Sequence, residues 1–357
     1  MSMETTVSRR SSTIGFGALA LAVDGAGVST YERELIAAVS RRLPASAMLT
    51  ASVQEAAIPA LPDSVAAIAV PRNSGVVRAL HAKAPTRAAG LFHGLDVDLP
   101  VSGPDATVAT VHDLSVFDVP WAFSRFRATG ERLLVRDALR RADELIAVSE
   151  FTAQRVHDLC GRTATVTHLA PAPWARPASD AEIDDARRRY GLPETFVLQV
   201  GTIEPRKRPH VVAEAARSVG VPFVVAGQGS TSVRAPESAI GLGYVPTDDL
   251  PALYGAATVV AYASVYEGFG LPPVEAMSCG AAVLASAVGA LPEVVGDGAV
   301  LVPGVGLRDW TDALRDLVND TDRRTELRTS AAVRAARLSW DRTAARTIDV
   351  YASLGFA

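Results

Sequence analysis

Residues 266–277 of the chain have the sequence Tyr266-Glu267-Gly268-Phe269-Gly270-Leu271-Pro272-Pro273-Val274-Glu275-Ala276-Met277. The apolar run before them, residues 257–262, is typical of a buried parallel strand. Two prolines stand where a first helical turn should begin. The stretch therefore predicts a strand, a glycine loop and a helix N-terminus, a geometry that can present backbone N–H groups to an anion.

Two carboxylates bracket this turn, because Glu267 lies in the loop and Glu275 about one turn into the helix. Carboxylate oxygens accept hydrogen bonds from paired hydroxyls such as those of a ribose. This favours a site for a phosphorylated, hydroxyl-rich ligand of the sugar-nucleotide type. The alternative is structural, since glycine and proline join strands to helices in most α/β proteins and an early-helix glutamate can simply complement the helix dipole.

The composition narrows the class of protein. A length of 357 residues exceeds what one core usually supports and predicts two domains. A net charge of -4 gives no support to a nucleic-acid partner. Cys160 and Cys279 form neither a disulfide framework nor a metal-ligand spacing, and both are expected to be small buried residues in a reducing compartment.

An apolar run near the N-terminus, residues 14–23, follows Arg9 and Arg10 and has some features of a signal peptide. It is too short to span a membrane. It continues directly into a glycine turn and an amphipathic helix over residues 29–43, for which Ser29 or Thr30 would be the N-cap. We therefore interpret residues 14–23 as a first β-strand.

Short apolar strands separated by turns or helices recur along the chain and predict two parallel, doubly wound α/β domains. In the first half they are expected at residues 65–70, 88–92, 106–111 and 144–148, and in the second at residues 196–200, 223–226, 240–244, 259–262, 281–285 and 299–302. Helices are expected at residues 180–190 and 340–354. The proline-rich residues 171–177 are the best candidate for a linker.

These patterns divide the chain into three parts. Residues 1–175 form a predicted N-terminal Rossmann-like domain, and residues 176–338 a predicted C-terminal domain of the same kind. Residues 339–357 form a C-terminal helix that docks on the domain surface. Two such domains enclose a cleft, and ligands of these sheets lie outside the carboxyl ends of the strands.

Polar side chains follow several of the predicted strands. His112 ends a strand of the first domain and can bind a sugar hydroxyl or move a proton, or it can simply bond nearby backbone. His93 is a weaker candidate of the same kind. Gly201 and Thr202 end the first strand of the second domain, and Arg206 and Lys207 follow in a basic turn that suits a diphosphate, unless the turn is only solvated.

Other features have two interpretations each. Gly25 and Gly27 lie in the first strand-to-helix turn, where backbone could approach the acceptor or a phosphate closely, or where the turn is merely tight. The glycines of Gly227-Gln228-Gly229 are equally ambiguous. A basic stretch could face an anionic membrane surface, although such a stretch is usually solvated; its arginines are Arg125, Arg127, Arg132, Arg136, Arg140 and Arg141.

Taken together, the chain resembles the retaining GT-B glycosyltransferases of family 4, the glycosyl transferases group 1, over nearly its whole length. The resemblance is carried by the two glutamates seven residues apart in residues 266–277, by residues 291–297 and by Ser339-Trp340. Residues 111–114, 147–151 and 25–35 carry it in the first domain. It implies the GT-B fold, with two Rossmann-like domains facing a central cleft. Residues 1–175 would form the acceptor-side domain and residues 176–338 the domain that binds the nucleotide-sugar donor.

The resemblance also implies roles for the matching residues. Glu267 would contact the hydroxyls of the donor sugar and Glu275 the ribose, while Arg206 and Lys207 neutralise the leaving diphosphate. His112 would lie near the donor sugar and the acceptor. The loop backbone would meet the sugar and the diphosphate; its residues are Gly268, Phe269, Gly270 and Leu271. The family transfers with retention and generally without a metal, so no metal and no cofactor are expected.

Two positions depart from the family pattern. Many members have an arginine where this chain has Thr202, so the diphosphate clamp would rest on Arg206 and Lys207 alone. The first glycine turn is followed by Ser29-Thr30-Tyr31 where a basic residue is frequent, which leaves the acceptor side undefined.

The leading hypothesis is a cytoplasmic, retaining transferase that moves a hexose, with mannose one candidate, from a nucleotide-diphosphate sugar to a saccharide or lipid-linked acceptor. Peripheral contact with an anionic membrane at its inner face is part of this hypothesis. Two alternatives are a sugar-nucleotide epimerase and a non-catalytic sugar-nucleotide-binding protein on the same scaffold. A nicotinamide oxidoreductase is disfavoured, because no Gly-x-Gly-x-x-Gly with a following acid comes after a first strand.

Overall fold

The computed structural model of the chain describes residues 13–22, 25, 27–71, 80–86, 90–304 and 306–356. Among these residues, seven strands form a parallel sheet in the first half, in the order β3-β2-β1-β4-β5-β6-β7. Their bounds are β1 Thr13–Gly17, β2 Met48–Gln54, β3 Val65–Val70, β4 Leu91–Gly94, β5 Ala106–Val111, β6 Glu144–Ala147 and β7 Thr165–Val166.

A second parallel sheet follows, in the order β10-β9-β8-β11-β12-β13. Its strands are β8 Val197–Val200, β9 Phe223–Ala226, β10 Ala239–Gly243, β11 Val259–Tyr262, β12 Val283–Ser286 and β13 Val300–Val302. All register pairs in both sheets are parallel, as in Val260 with Val283 and Ile14 with Leu91. The predicted pair of doubly wound α/β sheets is confirmed.

Helices cover the sheets and bury one apolar face each, as parallel sheets require. In chain order they are α1 Val28–Arg42, α2 Ser115–Asp118, α3 Arg125–Arg141, α4 Glu150–Cys160, α5 Asp180–Tyr190, α6 Pro209–Val219, α7 Leu250–Ala256, α8 Leu271–Ser278, α9 Leu291–Val295, α10 Leu307–Asn319, α11 Thr321–Ala335 and α12 Trp340–Ser353. Several end in a left-handed glycine, for example α4 at Gly161 and α5 at Gly191.

Each sheet has one switch point, where the strand order reverses. In the first sheet it lies between β1 and β4, and in the second between β8 and β11. Loops leave the sheet in opposite directions there and open a crevice at the carboxyl ends of the strands. The loop after β11 contains Glu267 and the loop after β8 contains Arg206 and Lys207, so the sheet order alone brings these residues together.

The predicted elements need several corrections. β1 ends at Gly17, because the apolar run continues as a buried loop that contains Leu19 and Leu21; residue 23 lies outside the described residues, as do residues 88 and 89. Gly27 precedes α1, and Ser29 instead bonds the backbone of Ala22, so neither predicted N-cap is correct. Strand β2 was not predicted. Cys160 is exposed rather than buried.

The last helix, α12, follows the second sheet in sequence but packs on the first domain, against α1. Thr343 donates to the carbonyl of His168 at 2.6 Å, and Trp340 Nε1 to the carbonyl of Pro171 at 3.0 Å. Tyr351 is fully buried and bonds His93 Nδ1 at 2.7 Å. The chain therefore crosses between the domains twice.

None of the helices in the described part of the chain is both long enough and apolar enough to cross a membrane.

Candidate active site

Glu267 lies in the loop after β11, and its side chain is 16% exposed. Its Oε2 accepts a hydrogen bond from Arg206 Nη1 at 3.0 Å, and its Oε1 accepts one from the Ser264 hydroxyl at 2.7 Å. Burial alone would raise the pKa of this carboxyl, but Arg206, Lys207 and Ser264 together hold it below its usual value. Glu267 is thus an ionised, oriented carboxylate with unused lone pairs.

Arg206 lies in the short 3₁₀ helix Pro205–Lys207, and most of its guanidinium nitrogens have hydrogen-bond partners. Its Nε pairs with Glu204 at 2.9 Å, and its Nη1 bonds both Glu267 and the carbonyl of Tyr266. Burial opposes its charge, yet these carboxylates raise its pKa above the ordinary range. Arg206 therefore holds the glutamate loop in place, and only its Nη2 has no partner among the described residues.

Lys207 differs from its neighbour, because its ammonium has neither an ion pair nor a hydrogen bond within the described part of the chain. Burial lowers its pKa, although Glu267, Glu204 and Glu275 oppose that shift. Its Nζ lies 3.0 Å from the point a Cβ on Gly201 would occupy, and Gly201 has a φ of +132°. Glycine at position 201 thus leaves room for a cation aimed into the crevice.

Glu275 sits in the second turn of α8 and has no bonded cation. Burial raises its pKa to about 7, and Lys207 opposes that rise. The sequence interpretation of this helix N-terminus needs one refinement. Pro272 and Pro273 have no N–H, and the Val274 N–H already bonds the Gly270 carbonyl, so few backbone donors remain for an anion. Positive charge has to come from the loop after β8.

His112 follows β5 and faces the same crevice from the first domain. Its Nε2 lies 2.8 Å from the carbonyl oxygen of Leu95, which can only accept, so the proton is on Nε2 and Nδ1 is free to accept. Its ring meets the edge of the Tyr31 ring at 4.7 Å between centroids. His93, by contrast, is fully buried with both ring nitrogens bonded, so it cannot contact a ligand.

The two domains touch at Gly268. A Cβ built on this residue would lie 2.0 Å from the carbonyl oxygen of His112 and 2.7 Å from Asp113 Cβ. Ser149 and Thr152 hydroxyls bond the Gly268 carbonyl at 2.6 and 3.2 Å. The structure therefore brings His112 and the glutamate loop together, and Ser149 and Thr152 are site residues that the sequence reasoning missed.

The remaining predicted residues lie around this centre. Phe269 and Leu271 are buried beside the loop, and Gly270 has a φ of +94° directly before α8. Thr202 is partly exposed next to Gly201. Gly227 packs on the Gly201 carbonyl, where a Cβ would come within 2.5 Å.

Gly25 and Gly27 lie on the far side of the crevice, before α1. Gly25 is crowded by the Ser29 hydroxyl, whereas Gly27 has a φ of +63° and open space around its α-carbon. Over the described residues, no group of three or more His, Cys, Asp or Glu side chains could hold a metal ion.

Comparison with known proteins decides the family. The profile of the glycosyl transferases group 1 matches residues 182–334. An Escherichia coli protein named O-antigen chain mannosyltransferase B is 32% identical over 283 residues, which cover 73% of this chain and 74% of that protein. The chain belongs to the group 1 glycosyltransferases.

Solved structures agree on the architecture of this glycosyltransferase. Sucrose-phosphate synthase from Thermosynechococcus elongatus superposes with a TM-score of 0.73 at 22% identity, covering 96% of this chain and 98% of that one. The HepE protein of Anabaena, solved with UDP and glucose, gives 0.70 at 19% identity over 95% of this chain and 99% of its own. These similarities confirm the predicted GT-B fold.

Proposed function

We propose that the protein transfers a hexose, with mannose the first candidate, from a nucleotide-diphosphate sugar to a saccharide or lipid-linked acceptor. One observation carries the proposal: Lys207 places a partly buried ammonium, which has neither an ion pair nor a hydrogen bond among the described residues, near Glu267 and Glu275 at a switch point. A buried cation without a directly bonded anion is costly. A diphosphate supplies that anion, and the name of the Escherichia coli relative supports mannose.

Lys207 is proposed to bind the diphosphate and to stabilise the negative charge that develops on it as the sugar leaves. Arg206 contributes less directly in this scheme. Since Glu204, Glu267 and Tyr266 occupy its Nε and Nη1, it orients Glu267 and can reach a phosphate oxygen only through Nη2. The complex of HepE with UDP supports a nucleotide diphosphate as the bound part of the donor.

The two glutamates are proposed to accept hydrogen bonds from different sugars. Glu267 is held ionised and oriented, which suits the hydroxyls of the transferred hexose, while Glu275 lies deeper on α8 and suits the ribose diol. His112 is proposed to meet the reacting hydroxyls through its free Nδ1. Gly25 and Gly27 would border the acceptor.

Retention of anomeric configuration and independence from metal ions complete the proposal. The test incubates the purified protein, stripped of metal by EDTA, with GDP-mannose or UDP-glucose and an oligosaccharide acceptor. We expect transfer without added metal and an axial anomeric linkage by NMR, as in an α-linked donor. Inverted product, or transfer only after a divalent cation is restored, contradicts the mechanism. Epimerised nucleotide sugar formed without acceptor contradicts the transferase itself.

The outer side of α3 supports contact with an anionic membrane, a further part of the proposal. We define the α3 surface as Trp121, Phe126, Leu133, Arg125, Arg136 and Arg140. Phe126 is 93% exposed and Leu133 63%, and they lie seven residues apart on one side of the helix. The helix has six arginines against Glu131 and Asp137, in a chain whose net charge is -4. Exposed apolar groups beside arginines that form no ion pair with any described residue match an anionic bilayer surface.

This surface lies close to the acceptor side of the crevice, because Arg132 Nε bonds the carbonyl of Val116, four residues after His112. Co-sedimentation with vesicles tests the contact. We expect binding to phosphatidylglycerol-containing vesicles, none to pure phosphatidylcholine, and a loss of about tenfold in Phe126→Ala/Leu133→Ala. Val333→Ala, which removes an apolar side chain that is 54% exposed on α11, is the control. No binding by the wild type, or a dimer formed through this surface, overturns the contact.

A further inference from the structure

Glu267 is flanked by two residues that the other domain holds. On one side, the hydroxyl of Tyr266 accepts a hydrogen bond from the Leu114 N–H at 3.2 Å. The ring of Phe151 also meets the Tyr266 ring edge-on, at 5.4 Å between centroids. Leu114 and Phe151 belong to the first domain and Tyr266 to the second, so this contact exists only while the cleft is closed.

On the other side, the N-terminus of α4 holds Gly268. The Ser149 hydroxyl donates to the Gly268 carbonyl at 2.6 Å and the Thr152 hydroxyl at 3.2 Å. Both side chains are fully buried. Ser149 is at the same time the N-cap of α4, accepting from the Thr152 N–H at 3.0 Å. The same serine therefore begins a helix in one domain and binds a loop carbonyl in the other.

Position 268 requires a glycine because the first domain approaches it closely, and not because its backbone conformation is one that only glycine adopts. Its φ lies outside the left-handed region. The 2.0 Å that separates a Cβ at this position from the His112 carbonyl oxygen is far inside van der Waals contact. An alanine here would clash with His112 and Asp113 of the first domain and would keep the two domains apart.

A third contact between the domains lies beside these two. Glu293, on α9 of the second domain, accepts a hydrogen bond from the Phe151 N–H at 3.4 Å. The first N–H groups of a helix have no partner within it and favour a carboxylate. The N-terminus of α4 thus bonds two groups of the second domain, the carboxylate of Glu293 and the carbonyl of Gly268.

We propose that closure of the cleft fixes the loop on both sides of Glu267 through an interdomain clamp, formed by Leu114 N–H on Tyr266 and by Ser149 and Thr152 on Gly268, and so completes the hold that Arg206 and Ser264 have on the carboxylate. This inference rests on the proposed transferase function, because it gives the clamp the task of assembling the donor site. Ser149 and Thr152 are positioning residues, since they act through Gly268 and not on the sugar.

The second domain by itself bonds Glu267 at its carboxylate and at its carbonyl. Arg206 and Ser264 bond the carboxylate, and the Ala290 N–H bonds the carbonyl at 3.0 Å. When the domains separate, the bonds to the Tyr266 hydroxyl and the Gly268 carbonyl break together, and the residues on either side of Glu267 lose their contacts with the first domain. The clamp therefore makes sugar transfer depend on closure, while nucleotide binding by Lys207 and Glu275 does not need it.

Gly268→Ala gives the sharpest test. Small-angle scattering should show a larger radius of gyration than the wild type, with and without UDP or GDP. Calorimetry with UDP and GDP should give affinities within about twofold of the wild type, while nucleotide-sugar turnover falls about 100-fold or more. A wild-type scattering profile with wild-type turnover overturns the clamp. Loss of nucleotide affinity in parallel with turnover overturns it as well, because Gly268 would then act on the donor directly.

Ser149→Ala tests the positioning role without a steric clash. Losing the hydrogen bond to a buried carbonyl should lower kcat about tenfold with little change in nucleotide affinity. Ser179→Ala is the matched control, because it also removes a serine N-cap, that of α5, whose side chain bonds only the nearby Glu182. Equal effects of the two substitutions on kcat would show that Ser149 acts only as a helix cap.

These outcomes separate the clamp from the proposed function. If the wild type neither binds UDP or GDP nor consumes a nucleotide sugar, the proposed function fails. The scattering comparison of wild type and Gly268→Ala still decides whether the contact at Gly268 closes the cleft. If the wild type turns over but the two variants match it, the clamp alone fails.

Discussion

The two sheets share one order over six strands, to which β7 adds a seventh in the first sheet, yet their switch points contain opposite chemistry. In the first sheet a chain of neutral groups fills the space beside β4: Tyr351 bonds His93, His93 bonds Thr110, and Thr110 bonds Tyr31, each at 2.7–2.8 Å. In the second sheet the corresponding space has Lys207 and Glu275, whose charged groups bond none of the residues that the structure describes. The first arrangement satisfies its polar groups internally, whereas the second leaves charges for a ligand.

The pKa values of His93 at the first switch point and of Glu275 at the second differ in the same way. Burial, with the charge of His112 nearby, lowers the pKa of His93 to about 3, so this histidine is neutral at any ordinary pH. Burial raises the pKa of Glu275 to about 7, within the working range. The same topology thus holds a neutral hydrogen-bonded network in the first domain and a group that titrates near neutral pH in the second. The following experiments test that contrast.

The largest effect is expected from Lys207→Ala, which removes the unpaired cation. Donor kcat/KM should fall about 10²- to 10³-fold, as when one group that stabilises transition-state charge is lost. The free energy of unfolding should be unchanged or slightly higher, because a partly buried ammonium without a bonded anion among the described residues disappears. Steady-state kinetics and urea unfolding measure both. Arg217→Ala, on the exposed side of α6, is the control, and an equal loss in that variant would contradict the assignment.

Tyr351→Phe should destabilise the protein, because it leaves His93 Nδ1 buried without its partner. We expect the free energy of unfolding to fall by about 1–3 kcal/mol. Tyr244→Phe removes a hydroxyl from a side chain that is 65% exposed and should change stability by less than about 0.5 kcal/mol. Urea unfolding at pH 7 compares them. Equal stabilities would show that the chain of hydrogen bonds contributes little.

Glu275→Gln should stabilise the ligand-free protein at alkaline pH. Because the folded state raises this pKa from 4.5 to about 7, the ionised carboxylate weakens folding progressively as the pH rises through that window. Removing it should raise the free energy of unfolding by about 3 kcal/mol at pH 8 and hardly at all at pH 4.5. Glu267→Gln should lower the free energy of unfolding at pH 8, since Glu267 is paired with Arg206. If both substitutions changed the free energy of unfolding in the same direction, the difference between the two glutamates would be contradicted.

The smallest effect concerns pH and nucleotide affinity. Protonated Glu275 accepts hydroxyl hydrogen bonds poorly, so the affinity for UDP or GDP should fall about three- to tenfold from pH 8 to pH 6. It should fall again at high pH, where Lys207, whose pKa burial lowers, loses its charge. Calorimetry in wild type and Glu275→Gln checks this, and the variant should lose the acidic limb only. A wild-type acidic limb in the variant would assign the titration to another group.

Much of the fold was predictable because it depends on local pattern. Val65–Val70, Phe223–Ala226 and Val259–Tyr262 have the bounds predicted from their apolar runs. β2 was missed because buried residues alternate there with exposed or half-buried ones and because polar Thr50, Ser52 and Gln54 dilute the run. The end of β1 was wrong, since a buried apolar loop has the same composition as a buried strand.

The site was predictable as a set of residues but not as a set of contacts. Strand ends identified Glu267, Arg206 and Lys207, and the sheet order brings them together. That Arg206 is occupied by carboxylates while Lys207 is free depends on side-chain geometry that adjacent positions in a sequence do not distinguish. Contacts across the cleft, such as Ser149 on Gly268, join residues more than a hundred positions apart, and a single sequence contains no local signal for them.

The return of α12 to the first domain has a mechanical consequence. The chain passes between the domains once after β7 and again between α11 and α12, and the bond from Trp340 Nε1 to the Pro171 carbonyl fastens the two passages side by side. A single connection would let one domain rotate in any direction, whereas two adjacent connections act as a hinge with one axis. Opening is thereby limited to a rotation about this hinge, and the residues of the crevice that lie furthest from the hinge move the largest distance.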